Sequence, residues 1–397
     1  MVSIDKIFHA SVVLKDIIRP TPLAKAYGIA EDCELYLKPE CLQKTGSFKL
    51  RGSGYKIAML SDEEKVKGVI ACSAGNHAQG VALAASKCGI SSLICLPDTA
   101  PISKVEATKG YGAQVCLVPG VYDDAYNRAL ELKEERGYTF VHPFDDEYVI
   151  AGQGTIGLEI MNEMSDVDAV IVPIGGGGLI SGVACAIKSI TPHVKVYGVQ
   201  AAGAPSMFNA VHHGQMEALT GVSTIADGIA VKKPGEITYE MVKNYVDDIA
   251  LVTEDEIAAA ILALIEKQKM IAEGAGAVSV AAAMFHKFPI EGKKVVSLIS
   301  GGNIDVTSLS RVIDRGLMKS GRTTNLLIEL VDKPGQLMDV SRIIAQCGGN
   351  VIAVHHERNG ETESINGCYL RLTLETRNYD HVQQITKALQ NAGFKIV

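Results

Sequence analysis

From residue 67 onward the chain alternates between short, almost wholly apolar β-branched runs and longer amphipathic stretches. Val69–Ala71, Leu93–Leu96, Val115–Val118, Phe140–Val141, Ala169–Val172, Val194–Val199 and Val295–Ile299 read as strands. Segments such as Asp123–Glu135, Ile156–Met164 and Glu254–Lys267, lying between them, have helical spacing. A strand with no polar face must be covered on both sides, and helical crossovers provide that cover in parallel sheets. The main body is therefore expected to be α/β, with parallel sheets.

That rhythm ends near residue 318. Met318–Arg322 reads as a linker, and the residues after it change pattern. Leu326, Ile328 and Leu330 alternate as a strand, Asp332–Gly335 turns, and Leu337, Val340, Ile344 and Cys347 follow at helical spacing up to Gly348-Gly349. Asn350–Glu357 and Cys368–Glu375 read as two more strands. Val382, Ile385 and Leu389 mark a second helix, and Phe394–Val397 closes the unit. The order β-α-β-β-α-β is ferredoxin-like. The expected division is 1–317, a linker at 318–322, and 323–397.

Composition excludes several classes. A net charge of -7 gives no electrostatic reason to expect nucleic acid or an anionic membrane as a partner. No apolar run approaches the length needed to span a bilayer, and the start of the chain lacks a signal-peptide core. The nine cysteines form no CxxC pair and several lie in apolar runs. That pattern suits reduced, buried thiols in a cytoplasmic protein better than disulfides or a zinc site.

Four segments are placed to carry chemistry. Lys49 lies in Gly46-Ser47-Phe48-Lys49-Leu50-Arg51-Gly52, after the strand-like Glu34–Leu37, and such a lysine can hold an aldehyde cofactor as a Schiff base. Taken alone it would be read as a solvated lysine. Gly175-Gly176-Gly177-Gly178 follows the strand ending at Ile174 and opens a helix at Leu179; bare backbone N–H groups and the helix dipole there suit a phosphate. It lacks the lysine of a nucleotide-binding loop. Ser73-Ala74-Gly75-Asn76-His77 also follows a strand and opens a helix, making a carboxylate cradle in which Asn76 can bond a ring oxygen. His77 is a candidate base, although a histidine in a first helical turn is more often structural. Ser300-Gly301-Gly302-Asn303 ends the strand Val295–Ile299 at the edge where α/β proteins bind ligands. A literal GxGxxG at Gly152–Gly157 follows no buried strand and has no acidic residue about 20 positions beyond it. It is read as a glycine-loosened helix start, and an NAD enzyme is disfavoured.

Together with Arg19-Pro20-Thr21-Pro22-Leu23, Ala151–Thr155 and Glu273–Ala277, these segments resemble the fold-type II pyridoxal-phosphate enzymes (tryptophan synthase β-like). Within that group they look most like the threonine dehydratase (threonine ammonia-lyase) family carrying a C-terminal ACT domain. The resemblance implies two lobes of parallel sheet, with a smaller lobe at about 52–150 inserted in the larger. It implies pyridoxal 5'-phosphate bound to Lys49, with Phe48 near the ring and Asn76 on the ring hydroxyl. Gly175, Gly176, Gly177, Gly178 and Leu179 would hold the phosphate, and Ser300 would face the ring nitrogen. Ser73, Ala74, Gly75, Asn76 and His77 would take the substrate carboxylate.

The activity implied is deamination of L-threonine to 2-oxobutanoate, and of L-serine to pyruvate, in isoleucine biosynthesis or threonine catabolism. The alternatives on the same fold are serine racemase/dehydratase and β-replacement; a non-catalytic amino-acid sensor is the alternative of another class. In the similar serine racemases a serine stands at position 74, so Ala74 implies little racemisation. The ACT resemblance implies an amino-acid or nucleotide effector near Asp332, Lys333, Pro334, Gly335 and Gln336. A homodimer or homotetramer is expected, and a metal ion is neither implied nor excluded.

Overall fold

The structure, a computed structural model, describes residues 2–357 and 367–397. It divides into two compact units, Met1–Asp305 and Val306–Val397. After the helix Ile4–Val13, the first unit runs through strands β1 (Ala24–Lys25) and β2 (Glu34–Pro39), followed by β3 (Val69–Cys72), β4 (Ser92–Pro97), β5 (Gln114–Val118) and β6 (Thr139–Phe140). It continues with β7 (Ala169–Pro173), β8 (Lys195–Ala201), β9 (Asp248–Val252) and β10 (Lys294–Ile299). Two sheets result, in the orders β1-β2-β10-β7-β8-β9 and β5-β4-β3-β6. All their pairings are parallel except the short β1 on β2.

Burial explains the sheet type. Every residue of β7 is buried, because β7 lies centrally and helices cover both faces. The larger sheet's core gathers Val170, Val172, Ile180, Val183, Val196 and Leu298, each contributing roughly 1.5–3 kcal/mol on full burial. The smaller sheet has its own cores around Ile94, Val81 and Leu50 on one face and Ile70, Cys95 and Leu132 on the other. The strands of the smaller sheet fall between β2 and β7 in sequence, so the larger sheet is assembled from both sides of them.

Two helices differ from the expectation. The segment read as Ile156–Met164 is a helix from Glu147 to Glu163, capped by Asp146, whose carboxylate accepts from the N–H groups of Tyr148 and Val149. Gly152-Gln153-Gly154 is thus helix interior, not a helix start. Low helix propensity hid these turns, and packing repays it: a Cβ at Gly152 would lie 2.5 Å from the carbonyl of Arg51. The stretch read as one helix over 254–267 is α-helical for Glu254–Ala263 and then widens to a π-turn over Leu264–Gln268.

The second unit begins with a helix, Val306–Lys319, which runs into the segment read as a linker. Its strands β11 (Thr323–Val331), β12 (Asn350–Glu357), β13 (Gly367–Glu375) and β14 (Lys395–Ile396) pair antiparallel in the order β12-β13-β11-β14. Helices Gln336–Gln346 and Tyr379–Asn391 bury Val340, Ile344, Ile385 and Leu389 against the alternating Leu326, Ile328, Leu370 and Leu372. No helix among the described residues is long and apolar enough to cross a membrane.

Candidate active site

The end of β10 organises the site. Ser47 bridges antiparallel to Gly301, the Phe48 N–H donates to the Ser300 carbonyl at 3.0 Å, and the Gly302 N–H donates to Gly46 at 2.9 Å. Those bonds deliver Lys49, the first residue of the helix Lys49–Ala58, to the carboxyl edge of the sheet beside Ser300. The Lys49 side chain is half-buried as a whole, with its amine end set deep among protein atoms. The amine donates to the carbonyl of Pro143 at 2.8 Å, and it lies 5.1 Å from the centre of the Phe48 ring. Burial brings its pKa down to about 8, against the opposing pull of Glu273. A substantial neutral fraction near neutral pH is what a nucleophilic amine needs.

Asn76 opens the helix Asn76–Lys87, and no side chain caps that helix. Its Oδ1 accepts from Asn303 and its Nδ2 donates to Glu273, both at 2.7 Å. This pairing fixes which end of the amide is which and leaves one N–H for a ligand. Glu273 is buried, and its pKa rises to about 7 through burial and then through Asp227. Its own N–H holds Gly301, and Ser300 donates to Ala275, two residues further on, at 3.2 Å. Ser73 accepts from the Gly75 N–H at 3.1 Å, shaping the turn around Ala74.

His77 is in the site region but turned away from a base role. Its Nε2 meets the Val141 carbonyl at 2.8 Å, and burial, then the Lys49 charge, lowers its pKa to about 3. The ring is a neutral donor to backbone.

The glycine loop lies between β7 and the helix Gly178–Ile190, whose N-terminus carries no side-chain cap. Gly177 holds φ at 98°, a conformation that favours glycine. A Cβ at Gly176 would lie 2.4 Å from the Phe144 ring, so the loop has no room for side chains on that side. The Thr238 hydroxyl donates to the Gly176 carbonyl at 2.6 Å, and Leu179 is buried behind the loop.

Sequence reasoning missed the segment that ties these parts together. His77 and Lys49 are held by the carbonyls of Val141 and Pro143, while Phe144 packs on Gly176. His142 Nδ1 accepts from the Asp145 N–H at 2.7 Å, and Asp145 accepts from the N–H groups of Glu236 and Thr238 at 3.1 Å each. Residues 141–145 thus join the lysine to the glycine loop. The clustering of His, Pro, Phe and Asp between a strand and a helix was the only signal in sequence.

The arrangement fits pyridoxal phosphate. A buried amine with a depressed pKa suits an aldehyde, and an uncapped helix end behind four glycines suits a phosphate. The Ser300 hydroxyl, on turning its proton from the Ala275 carbonyl, could donate to a neutral ring nitrogen, and it cannot balance a full positive charge as a carboxylate would.

In the second unit Asp332, Lys333, Pro334, Gly335 and Gln336 line a cavity of about 300 Å³ together with Leu330, His356 and Cys368.

Comparison with known proteins agrees with this geometry. Residues 14–301 match the family of pyridoxal-phosphate dependent enzymes, and residues 319–392 match the ACT domain. An L-threonine ammonia-lyase of Thermotoga maritima is 50% identical, covering 100% of this chain and 99% of that protein. The solved threonine deaminase isoform 2 of Solanum lycopersicum is 39% identical at a TM-score of 0.74, covering 78% of this chain and 93% of that one. Maize serine racemase is 35% identical at 0.75, covering 80% and 98%. A lysine, an asparagine and a glycine loop converging on the end of β10 thus have close relatives of one kind, and the chain belongs to the fold-type II pyridoxal-phosphate-dependent enzymes, with an ACT domain at its C-terminal end.

Proposed function

We propose that this enzyme deaminates L-threonine to 2-oxobutanoate and ammonia, and L-serine to pyruvate and ammonia, under control of its ACT domain. The observation that carries the reading is the Lys49 amine, held by Pro143 while the next residue, Phe144, seats the phosphate-type loop. A relative 50% identical over the whole chain is named L-threonine ammonia-lyase, which supports the same reading.

In this reading Lys49 would bond the cofactor and, once the substrate amine has displaced it, would as a free amine take the proton from the substrate α-carbon. When bound, pyridoxal phosphate supplies the electron sink for the pair left at that carbon. Gly175–Gly178 and Leu179 would hold its phosphate, Phe48 would pack near its ring, Asn76 would donate to the ring oxygen, and Ser300 would face the ring nitrogen. The backbone N–H groups of Ser73–His77 orient the substrate carboxylate. Ala74 has no proton to deliver on the face opposite Lys49, so the lysine alone would handle the α-proton; the β-hydroxyl would leave as water on taking up a proton, and hydrolysis of the released enamine would give the 2-oxo acid and ammonia. The likeness to maize serine racemase favours a second reading, racemisation; Ala74 weighs against it.

The proposal includes an effector at Asp332–Gln336, a homodimer or homotetramer, and a cytoplasmic location. It keeps residues 323–397 as the regulatory domain and residues 52–150 as the inserted smaller lobe. Borohydride reduction of the cofactor-loaded protein, followed by peptide mass analysis, tests the core of the reading. The label is expected on Lys49, and a label on any other lysine overturns it.

A further inference from the structure

The ACT domain brings together three side chains that no sequence spacing connects. In the antiparallel ladder Leu330 pairs with Cys368, and His356 pairs with Leu370. Cys368 and Leu370 are two residues apart on β13, so their partners share one face of the sheet. Asp332, two residues beyond Leu330, falls at the end of the same face. The carboxylate of Asp332, the imidazole of His356 and the thiol of Cys368 lie with ligand atoms within 4.8 Å of one another. Cys368 is buried in the sheet, whereas Asp332 and His356 are exposed. All three line the cavity of about 300 Å³ at the start of the helix Gln336–Gln346.

We propose that Asp332, His356 and Cys368 form a binding site for a borderline-soft divalent transition-metal ion of the zinc type. Ligand bonds to such an ion run from about 2.0 to 2.3 Å, which sets donors around one tetrahedral ion roughly 3.3–3.8 Å apart, a spacing inside the 4.8 Å that bounds these three ligand atoms. One sulfur, one imidazole nitrogen and one carboxylate oxygen select zinc or cobalt over magnesium or calcium, which take oxygen donors alone. Three protein ligands leave a fourth position facing the cavity, open to water or a small-molecule donor. On binding, the Cys368 thiol gives its proton to solvent as the sulfur–metal bond forms. Cysteine spacing alone pointed away from zinc, because the ligands come from the ends of three different strands.

The test uses the full-length, cofactor-loaded enzyme, freed of metal and titrated with zinc alone against a chromogenic chelator. The wild type should retain a single zinc ion per chain. Asp332→Ala and His356→Ala, both at exposed positions, should each weaken that binding by about 100-fold or more, beyond the effect of losing a mere outer hydrogen-bond partner. Zinc-edge X-ray absorption should show one sulfur in the wild type and none in Cys368→Ser. Failure of the wild type to retain zinc overturns the site. So does wild-type affinity in His356→Ala and Asp332→Ala, or a coordination shell with several sulfurs, since each would place the metal elsewhere.

Discussion

Asn303 donates to the side-chain oxygen of Asn76 at 2.7 Å across 227 residues of sequence. Its other N–H reaches the Thr45 carbonyl, also at 2.7 Å, so one amide ties the lysine segment to the asparagine loop. With Glu273 on the other side, Asn76 has a single orientation and one N–H left to offer. Asn303→Ala removes the acceptor's anchor and lets the Asn76 amide rotate. The expected loss is about 1 kcal/mol of cofactor affinity, or roughly fivefold in Kd, with the fold intact. Equilibrium titration of cofactor-free protein measures it, and an unchanged Kd would count against the positioning role.

The depressed pKa of Lys49 makes two pH-dependent predictions. Capture of an aldehyde needs the neutral amine, so the rate of cofactor reconstitution should rise with pH around about 8. Stability follows from the same shift. Below about 8 the folded, cofactor-free protein keeps a buried ammonium that the unfolded chain solvates freely, a cost of at most about 3 kcal/mol. Above that pH the unfolded chain binds more protons than the folded one, so the cost fades as pH rises toward the ordinary lysine value. Lys49→Met should therefore raise the Tm of cofactor-free protein at pH 7, with a gain that shrinks at higher pH. A gain constant across pH would contradict a charge-based origin.

Two residues after Lys49, Arg51 is fully buried and forks onto Glu40 at 2.7 and 2.8 Å while also meeting Glu159 at 2.6 and 2.9 Å. Arg51→Ala strands Glu40, also fully buried, without its counter-charge. Denaturant unfolding of the cofactor-free chain should show a loss of about 3–5 kcal/mol. A loss under about 1 kcal/mol would show that the network carries little of the catalytic unit's stability.

How much of this was legible beforehand depended on range along the chain. Apolar runs such as Ala169–Val172 announced buried parallel strands because burial on both faces leaves a continuous signature. The alternation of Cys368, Leu370, Leu372 and Leu374 announced a half-covered antiparallel strand for the complementary reason. Lys49, Asn76 and the glycine loop stood out because each follows a strand and opens a helix. Glu273 was singled out only within a family-like segment and with no role assigned, since its meaning lies in a bond to Asn76 across 197 residues. Phe144 did not stand out, since it acts by filling the space above Gly176. The helix Glu147–Glu163 was shortened in the sequence reading because its glycines weaken local propensity, and only packing against Arg51 and Gly182 explains them.

In the proposed reading Ala74 is what limits racemisation. Placing a hydroxyl there with Ala74→Ser should raise D-serine formed from L-serine, relative to pyruvate, by about 100-fold, the scale of a positioned proton donor. Chiral chromatography of the reaction mixture reads both products. Rapid D-serine formation by the unaltered protein would show that the opposite face has another donor.

Regulation should separate from catalysis. Removing residues 322–397 is expected to abolish any response of the deamination rate to isoleucine, valine, AMP or ADP while leaving cofactor binding in place. Assays of both proteins with each compound test this, and a response preserved in the shortened chain would place the effector site outside residues 322–397.

The most direct measurement is product analysis of the full-length, cofactor-loaded protein given L-threonine, beside its Lys49→Ala variant. The account predicts 2-oxobutanoate and ammonia in equal amounts from the wild type and neither from the variant. Absence of 2-oxo acid, with a new bond at the β-carbon when a thiol is supplied, would contradict it and make the enzyme one of β-replacement.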